Sequence, residues 1–339
     1  MGTLVSVSVL AEDSVVFESK DAFLADAQRY RRELLAHCYR MTGSLHDAED
    51  LVQETYLRAW KSYDGFQGRS SVRTWLYRIA TNTSLTSLDG RKRRPLPSGL
   101  GQQPSDPRGE ITEHNEITWL EPLPDSPHET PSDPSVIVAS RDSVRLAFVA
   151  ALQHLPPRQR AVLVLREVLQ WKAAEVGEAI GASTTAVNSL LQRARAQLDE
   201  VQPSQDDELA APESPEAQDL LGQYIAAFEA YDMDKLVELF TEEAIFEMPP
   251  FDGWYQGPEN IVTLSKTHCP AEGPGDMRFL RTIANGQPAA ALYMLNRETG
   301  RHEEFQLHVL EIAPGGVSHV VAFHAGDGMF EKFGLPTTL

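Results

Sequence analysis

The chain has 339 residues, of which 42% are apolar and 23% are charged. This composition is normal for globular domains, and the length predicts two or three of them. No run of 18 apolar residues is present, residues 1–19 lack the basic start of a signal peptide, and two cysteines are too few for a disulfide framework. We therefore expect a cytoplasmic protein without a membrane partner.

The net charge of −19 is distributed unevenly. Residues 20–95 carry 14 Lys and Arg against 9 Asp and Glu, and residues 141–200 carry 8 against 6. Residues 96–140 carry 1 against 8, and residues 201–339 carry 7 against 23. Two basic blocks among acidic ones indicate a local nucleic-acid partner that the overall charge conceals.

Two proline-rich segments divide the chain. Nine prolines fall between Pro95 and Pro134, and Pro203–Pro215 is rich in Asp, Glu, Ser and Pro. Both compositions are typical of linkers with little regular structure. The predicted domains are residues 20–95, 141–201 and 216–339, separated by an acidic Pro-rich linker at 96–140 and a second linker at 202–215.

Residues 44–63 predict a helix with two distinct faces. Ser44 followed by Asp47 is typical of a capping-box start. A core stripe follows at Ala48, Leu51, Val52, Thr55 and Ala59. Another face carries Asp50, Gln53, Glu54, Leu57 and Trp60. An aromatic anchor ringed by polar groups suits docking on a partner helix, and a solvated face is the alternative.

Downstream, aromatic and basic residues alternate. Phe66–Arg69 precedes Trp75, Tyr77, Arg78 and Asn82, and the block ends with the basic tetrad Arg91–Arg94. Cations hold phosphates, aromatic rings accept unstacked bases, and an amide reads an extruded base edge, so this pattern is typical of a segment that opens a duplex. For Trp75 and Leu76 we expect a core role. The alternative interpretation of the basic tetrad is a solvated helix end that does not contact DNA.

The second basic block predicts three helices. Pro157 opens the first, Trp171–Ile180 forms the second, and Gly181 ends that helix. Ser183 caps the third helix, Thr184–Leu198. Its polar residues are Thr184, Thr185, Asn188, Ser189, Gln192, Arg193 and Arg195. A short helix, a tight turn and a polar helix predict a helix-turn-helix whose second helix enters the major groove.

In the third predicted domain, residues 216–339, the hydrophobic pattern changes from a helical period to one typical of strands. Asp219–Phe240 predicts an amphipathic helix, and three later segments predict strands, Met277–Asn296, Glu304–Ala313 and Val317–Ala325. Pro314–Gly316 supplies a hairpin turn. Helices followed by a curved antiparallel sheet indicate an α+β domain.

Together the basic blocks resemble an extracytoplasmic-function sigma factor of the sigma-70 family. DAEDLVQETYLRAW (Asp47–Trp60) is similar to region 2.2, and FQGRSSVRTWLYRIATNTSL (Phe66–Leu85) is similar to regions 2.3 and 2.4. The resemblance implies core RNA polymerase as partner, bound at its largest-subunit clamp helices through Asp47, Asp50, Gln53, Glu54, Leu57 and Trp60. It implies −10 promoter DNA contacts by Arg69, Arg73, Tyr77, Arg78, Asn82, Arg91, Lys92 and Arg93.

Leu155–Leu198 resembles region 4, whose last helix reads the −35 element. The resemblance implies DNA contacts by Thr184, Thr185, Asn188, Ser189, Gln192, Arg193 and Arg195. Many members carry Lys and Arg where this chain has Asn188 and Leu190. We expect fewer cations to weaken the phosphate contacts. The promoter sequence does not carry over from relatives.

The third block resembles the SnoaL-like branch of the NTF2-like cone, through Tyr224–Pro250 and Trp254–Ile261. WLEPLPD (Trp119–Asp125) is similar to the linker motif of sigma factors that carry such a domain. The resemblance implies that the domain modulates sigma activity and leaves a small ligand in its pocket open as a partner. The acidic domain is tethered close to the basic blocks, so it could compete with promoter phosphates for them. The alternative is that its charge serves solubility alone.

An enzyme is the alternative hypothesis, because some relatives of this cone are isomerases or cyclases. The available titratable residues are Glu247, Asp252, His308, His319 and His324. For the histidines we expect structural roles, with His319 and His324 on opposite strand faces. We expect no catalysis, cofactor or metal. The alternatives are a pocket enzyme fused to a DNA-binding module, and a regulator that binds DNA through 141–200 without polymerase.

Overall fold

The computed structural model describes residues 23, 26–68, 70–125, 143–201 and 209–339. Their contacts divide the chain into two compact units. The helical unit comprises the described residues of Met1–Arg91 and Pro157–Arg193, and the sheet unit those of Lys92–Pro156 and Ala194–Leu339.

The helices and strands have the following bounds. The helices are α1 (Arg31–Thr42), α2 (Leu45–Ser62), α3 (Val72–Ser87), α4 (Leu146–Gln153), α5 (Pro157–Leu163), α6 (Ala173–Ile180), α7 (Thr184–Val201), α8 (Pro215–Glu229), α9 (Met233–Leu239), α10 (Pro258–His268) and α11 (Met329–Lys332). The strands are β1 (Phe240–Glu247), β2 (Trp254–Gln256), β3 (Met277–Ala284), β4 (Gln287–Asn296), β5 (Arg301–Ala313) and β6 (Gly316–His324). None of the described helices has the length and apolar character that crossing a bilayer requires.

Local capping explains where the first helices begin. The Ser44 hydroxyl accepts a hydrogen bond from the backbone N–H of Asp47 at 3.1 Å, which confirms the predicted start of α2. The Ser71 hydroxyl accepts from the N–H of Thr74 in the same way and starts α3. Each cap satisfies a backbone donor that the helix itself leaves without a partner.

The helix-turn-helix also forms as the sequence predicts. The second helix, α6, ends at Gly181, which has a left-handed φ of 65°. The Ser183 hydroxyl accepts from the N–H of Ala186 and caps α7. A Cβ at Gly177 would lie 2.5 Å from the Ala182 carbonyl oxygen, so only glycine at this position lets the backbone of the turn pack against α6.

The sheet of the second unit has the strand order β2-β1-β6-β5-β4-β3. All neighbouring strands are antiparallel except β1 and β6, which are parallel. The expected antiparallel sheet is therefore mixed. The reason is the connection between these two strands, which passes through β2, α10 and the β3–β5 meander before the chain returns beside β1.

Two predicted elements are divided in the structure. The stretch Asp219–Phe240 is interrupted by Tyr231, whose φ is 55°, and Asp232 caps the new helix α9. The stretch Met277–Asn296 is a hairpin that turns at Asn285 and Gly286, with φ values of 57° and 66°. An Asn-Gly pair favours this two-residue turn because both residues tolerate positive φ. The hairpin turn at Pro314–Gly316 is confirmed.

Both faces of the central strands are buried. Even-numbered residues such as Leu310 and Val320 belong to the core beneath α8, α9 and α10. The alternate residues Val309 and Val321 point to the other face and are equally buried. Because a strand alternates its side chains, the outer face needs a second cover.

Part of that cover is the segment predicted as a linker. It has little regular structure, as expected, but it is bonded to the sheet. The backbone N–H of Ser98 donates to Glu247 Oε2 at 2.8 Å. Asn285 and Leu123 exchange two hydrogen bonds at 2.8 Å, one through the Asn285 side-chain oxygen. Leu120 and Leu123 of the WLEPLPD motif are buried.

Helix α4 belongs to the same cover. The backbone N–H of Leu146 donates to Gln287 Oε1 at 2.9 Å, and the Asn285 amide donates to the Val144 carbonyl at 2.7 Å. Residues up to Pro156 therefore group with the sheet, although the sequence predicted one domain over 141–201. The bonds show that the segments on both sides of residues 126–142, which lie outside the described part, pack on the sheet unit.

We predict that Asn285→Gly lowers the free energy of unfolding of the sheet unit by about 2–4 kcal/mol, because two buried hydrogen bonds of its side chain are lost. Glycine keeps the left-handed backbone. Asn285→Ala loses the same bonds and adds roughly 1 kcal/mol of backbone strain. Urea titration of both variants measures the two contributions. Equal stability of Asn285→Gly and the unsubstituted chain would contradict the anchoring role of this side chain.

Candidate functional site

The α2 face singled out by the sequence is exposed. Leu57 is 52% exposed and Trp60 is 42% exposed, and among the described residues the other large exposed hydrophobic is Leu339. Asp50 and Gln53 are exposed beside them, and Glu54 accepts a hydrogen bond from Arg58 at 2.6 Å. Exposed apolar side chains ringed by polar groups are typical of a docking surface.

Asp47 has a different environment from the rest of that set. Its carboxylate is largely covered and accepts a hydrogen bond from Arg91 Nη1 at 2.8 Å. The first arginine of the basic tetrad is thus paired with the first turn of α2. Negative charge in the first turn of a helix is favourable, so this pair also stabilises the start of α2.

The structure places Tyr77, which the sequence predicted to contact −10 DNA, in the core of the helical unit. Its side chain is 1% exposed, and its hydroxyl donates to Glu33 Oε2 at 3.1 Å. Arg73 donates to the same carboxylate at 2.7 Å. A ring enclosed in this way has no face for a base, so we leave Tyr77 out of the proposed DNA-contacting set. Burial raises the pKa of Tyr77.

Trp75 and Leu76 have the expected core roles. Leu76 is fully buried, and the Trp75 ring lies 4.7 Å from the Phe66 ring and 5.7 Å from the Phe23 ring. The aromatic residues Phe66 and Trp75 of this motif therefore pack together within the helical unit.

Arg78 and Asn82 lie on the solvent side of α3, where both are held by α6. Arg78 Nη1 is 2.9 Å from Glu178 Oε1. The Asn82 amide donates to the Ala179 carbonyl at 2.9 Å. The sequence predicted neither contact, because the partners are about 100 positions apart and belong to a different motif.

The remaining basic residues have mixed surroundings. Lys92 is exposed, and Arg93 donates to the Gly99 carbonyl at 2.9 Å within the sheet unit. Arg94, next in the tetrad, pairs with Glu121 at 3.2 Å. Arg69 lies outside the described residues.

Helix α7 presents its predicted DNA-reading residues to solvent. These exposed residues are Thr184, Thr185, Asn188, Ser189, Gln192, Arg193 and Arg195. Val187, Leu191 and Ala194 form the buried side. Polar and basic side chains on one face of a recognition helix have the chemistry needed to contact base edges and phosphates.

The inner face of the sheet holds two histidines, His308 and His324, that are both hydrogen-bonded to Gln306. His308 is 1% exposed; its Nδ1 lies 2.8 Å from the Tyr224 hydroxyl and its Nε2 lies 3.1 Å from Gln306 Oε1. Gln306 Nε2 lies 2.7 Å from His324 Nε2. Burial lowers the pKa of His308 to about 3 and that of His324 to about 4, so both are neutral near pH 7.

The outer face carries three neighbouring titratable side chains, Glu247 on β1, His319 on β6 and Glu311 on β5. His319 Nε2 lies 2.7 Å from Glu247 Oε1, and His319 Nδ1 lies 3.9 Å from Glu311 Oε2. Burial lowers the pKa of His319, but the hydrogen bond and charge of Glu247 outweigh it, so the pKa is raised. His319 and His324 thus point to opposite faces, as predicted.

These titratable groups are engaged in structural contacts. Both nitrogens of His308 have partners, and Glu247 is fully buried between His319 and the linker. Asp252 pairs with His114 of the linker at 3.2 Å. Within the described ranges, no group of three His, Cys, Asp or Glu side chains is arranged to hold a metal ion.

We predict that the sheet unit loses stability as pH falls below about 6.5. The folded pKa of His308, about 3, lies below the unfolded value, so its contribution is present above pH 6.5 and declines as pH falls toward 3. His308→Gln should reduce the pH slope by up to about 1.4 kcal/mol per pH unit. Urea unfolding between pH 7.5 and 5, with hydrogen exchange of β5 as the readout, measures the slope. Identical slopes for both chains would contradict this origin.

Comparison with known proteins gives three family matches. The family models for sigma-70 region 2, sigma-70 region 4 and the SnoaL-like domain match residues 27–94, 145–198 and 221–320. The crystal structure of the Mycobacterium tuberculosis extracytoplasmic function sigma factor SigJ has a TM-score of 0.60 and 22% identity, covering 93% of this chain and 99% of that one. At that identity the likeness shows a shared fold.

Sequence relatives extend the match to the full chain. ECF RNA polymerase sigma factor SigJ of M. tuberculosis H37Rv is 30% identical, over 74% of this chain and 75% of its own length. ECF RNA polymerase sigma factor SigG of M. tuberculosis, in strains CDC 1551 and H37Rv, is 67% identical over 99% of this chain and 90% of its own length. These matches support the sigma hypothesis over a pocket enzyme fused to a DNA-binding module. The chain belongs to the ECF RNA polymerase sigma factors.

Proposed function

We propose that this sigma factor docks on core RNA polymerase through α2 and reads promoter DNA through α3 and α7. The observation that carries the proposal is the exposure of Leu57 and Trp60 on a helix otherwise bounded by polar side chains. Leaving two large apolar side chains in water is unfavourable unless a partner covers them. In this family the matching segment binds the clamp helices of the largest polymerase subunit.

The docking surface combines apolar and acidic groups. Trp60 and Leu57 supply apolar area, and Asp50, Gln53 and Glu54 surround them with hydrogen-bonding groups. Aromatic anchors within a polar ring contribute most of the binding energy in protein interfaces. The proposed clamp-helix surface consists of these five residues, and the Asp47–Arg91 pair supports the start of the helix.

The proposed promoter surfaces differ in how they are presented. For the −35 element, α7 offers seven exposed polar and basic residues. For the −10 element, the proposal retains Arg78 and Asn82 of α3, together with the basic residues around Arg91–Arg93. Arg69 enters it on the family resemblance alone. Arg73 is the weakest member, because its guanidinium is already paired with Glu33.

We propose that the SnoaL-like domain modulates this activity through the chain between regions 2 and 4. Support comes from the hydrogen bonds that Ser98, Leu123, Val144 and Leu146 make to the sheet. A linker bound to a folded domain has fewer conformations than a free one, so its attachment limits how regions 2 and 4 reach their promoter elements. Ending the chain near residue 202 would remove the sheet that covers these segments, so single substitutions test the modulation more cleanly.

The proposal assigns the domain a regulatory role without catalysis. The buried histidines already have hydrogen-bond partners within the domain: His308 contacts Tyr224 and Gln306, His324 contacts Gln306, and His319 is paired with Glu247. Because the partner is core RNA polymerase, we place the protein in the cytoplasm.

We predict that Trp60→Ala weakens binding to core RNA polymerase by about 10- to 100-fold, since a central aromatic anchor contributes on the order of 1.4–3 kcal/mol. Fluorescence anisotropy with labelled full-length protein measures the dissociation constant. Asp64→Ala, an exposed change beyond the end of α2, is the control and should bind as the unsubstituted chain does. Equal affinities for Trp60→Ala and Asp64→Ala would contradict the docking surface.

We further predict that Asn285→Gly changes transcript yield by at least about three-fold while its affinity for core polymerase stays within two-fold. The reason is that this substitution loosens the linker but leaves α2 unchanged. Run-off transcription and core binding are measured at a temperature at which the variant is folded. Thr267→Ala, an exposed change on α10, is the control. Unchanged yield from Asn285→Gly would contradict modulation through the linker.

A further inference from the structure

The linker is attached to the sheet at a point where buried charges meet. Glu247 is fully buried, and its two carboxylate oxygens have separate partners, His319 Nε2 at 2.7 Å and the backbone N–H of Ser98 at 2.8 Å. We propose that Ser98, Glu247, His319 and Glu311 form a pH-sensitive latch, in which the imidazolium of His319 keeps the linker attached and loss of its proton releases Ser98. The consequence for transcription rests on the proposed function, whereas the latch is a property of the sheet unit.

The strand register places one histidine between two carboxylates. Glu311 on β5 is directly opposite His319 on β6, and Ile245 on β1 is the partner of His319 on the other side. Glu247 lies two residues beyond Ile245 and therefore shares its face of the sheet. The Nε2 atom of His319 contacts Glu247, and the Nδ1 atom lies 3.9 Å from Glu311 Oε2. Each nitrogen of the imidazole thus faces a different carboxylate.

The charges of the latch are best balanced when His319 carries its proton. Two carboxylates and an imidazolium have a net charge of −1, and a neutral imidazole changes it to −2. Glu311 Oε1 is buried and has no hydrogen-bond partner among the described residues, so the imidazolium is its compensating group. On the linker side, Arg93 donates to the Gly99 carbonyl and contacts His154 at 2.8 Å. Its guanidinium is therefore bonded to groups outside the latch.

Loss of the proton acts on the linker through Glu247. The proton leaves Nδ1 of His319 for solvent, while Nε2 keeps the hydrogen that it donates to Glu247. Two buried carboxylates then lack a counter-charge, which is unfavourable in a site that water does not reach. Because Ser98 covers one oxygen of Glu247, water hydrates that carboxylate only when the Ser98 hydrogen bond breaks. Deprotonation of His319 therefore favours detachment of the linker at Ser98.

The pKa of His319 sets the direction of the pH dependence. Burial lowers this pKa, but the hydrogen bond and charge of Glu247, with the charge of Glu311, raise it above the ordinary value of about 6.5. A raised folded pKa means that the contribution of His319 is fully present below pH 6.5 and is lost as pH rises through the folded pKa. The dependence is opposite to that of His308, whose contribution is lost as pH falls.

The direct test is hydrogen exchange of the Ser98 amide in the full chain, followed by NMR between pH 6 and 8.5. Protection is expressed relative to an unstructured amide at the same pH. We expect constant protection up to about pH 6.5 and then a loss of up to about ten-fold per pH unit, since each opening releases one proton. The Leu123 amide, which donates to Asn285 Oδ1 at another place on the sheet, is the internal reference and should keep its protection.

Three variants identify the titrating group. His319→Gln keeps an N–H donor for Glu247 but does not titrate, so its Ser98 protection should be independent of pH in this range. His302→Gln, on the same sheet, is the matched control and should behave as the unsubstituted chain does, because His302 contacts the Gly275 carbonyl and not the latch. Glu311→Gln keeps His319 and removes one carboxylate, so the total loss of protection should be smaller. This third variant tests the latch even if His319→Gln does not fold.

Constant Ser98 protection in the unsubstituted chain up to pH 8.5 would overturn the latch, and so would the same loss of protection in His319→Gln and His302→Gln. Run-off transcription with core RNA polymerase at pH 6.5 and 8.5 tests the proposed function separately. Its readout is the ratio of transcript yields from the unsubstituted chain and His319→Gln. An unchanged ratio together with pH-dependent Ser98 protection would support the latch and contradict modulation through the linker.

Discussion

A sheet that is apolar on both faces must be covered on both faces, and this constraint connects the SnoaL-like domain to the rest of the chain. Helices α8, α9 and α10 cover the inner face of the sheet. The outer face receives the segment around Ser98–Asp125 and helix α4, which the sequence places between sigma regions 2 and 4. The SnoaL-like domain therefore binds the connection between sigma regions 2 and 4, and this contact is the route by which we propose that it modulates transcription.

In the helical unit, polar side chains find hydrogen-bond partners within the protein. Residues that contact DNA must be polar, and in the absence of DNA such groups gain from alternative partners. Asn82 and Arg78 find them on α6, and Arg91 finds one in Asp47. The seven predicted DNA-reading residues of α7 are exposed to solvent. The two proposed promoter-reading surfaces thus differ in their surroundings, because Arg78 and Asn82 of α3 contact a neighbouring helix.

Local signals in the sequence were sufficient for the helices and their caps. Ser44, Ser183 and Gly181 act over three or four residues, so their effects can be predicted without tertiary information. The same holds for the amphipathic pattern of α7. The turn at Asn285–Gly286 also has a local signal, but the apolar run around it predicted one continuous strand.

Non-local contacts were beyond prediction from pattern. Tyr77 lies in an aromatic and basic segment typical of DNA contact, yet a carboxylate 44 positions earlier holds its hydroxyl in the core. The proline-rich segment has few apolar residues, and the burial of Leu120 and Leu123 depends on a sheet more than 150 positions away. Parallel pairing of β1 and β6 likewise depends on the path of the chain between them. Each of these features is decided by which partner completes a hydrogen bond or covers a surface.

The central claim is that this chain gives core RNA polymerase a promoter specificity. The most direct measurement maps transcript start sites made by purified core polymerase on genomic DNA fragments, with and without the full-length protein. The account predicts discrete start sites that appear only when the protein is present, at promoters sharing −10 and −35 elements. Transcripts that are unchanged by the protein, although it is folded and bound to core polymerase, would contradict that claim.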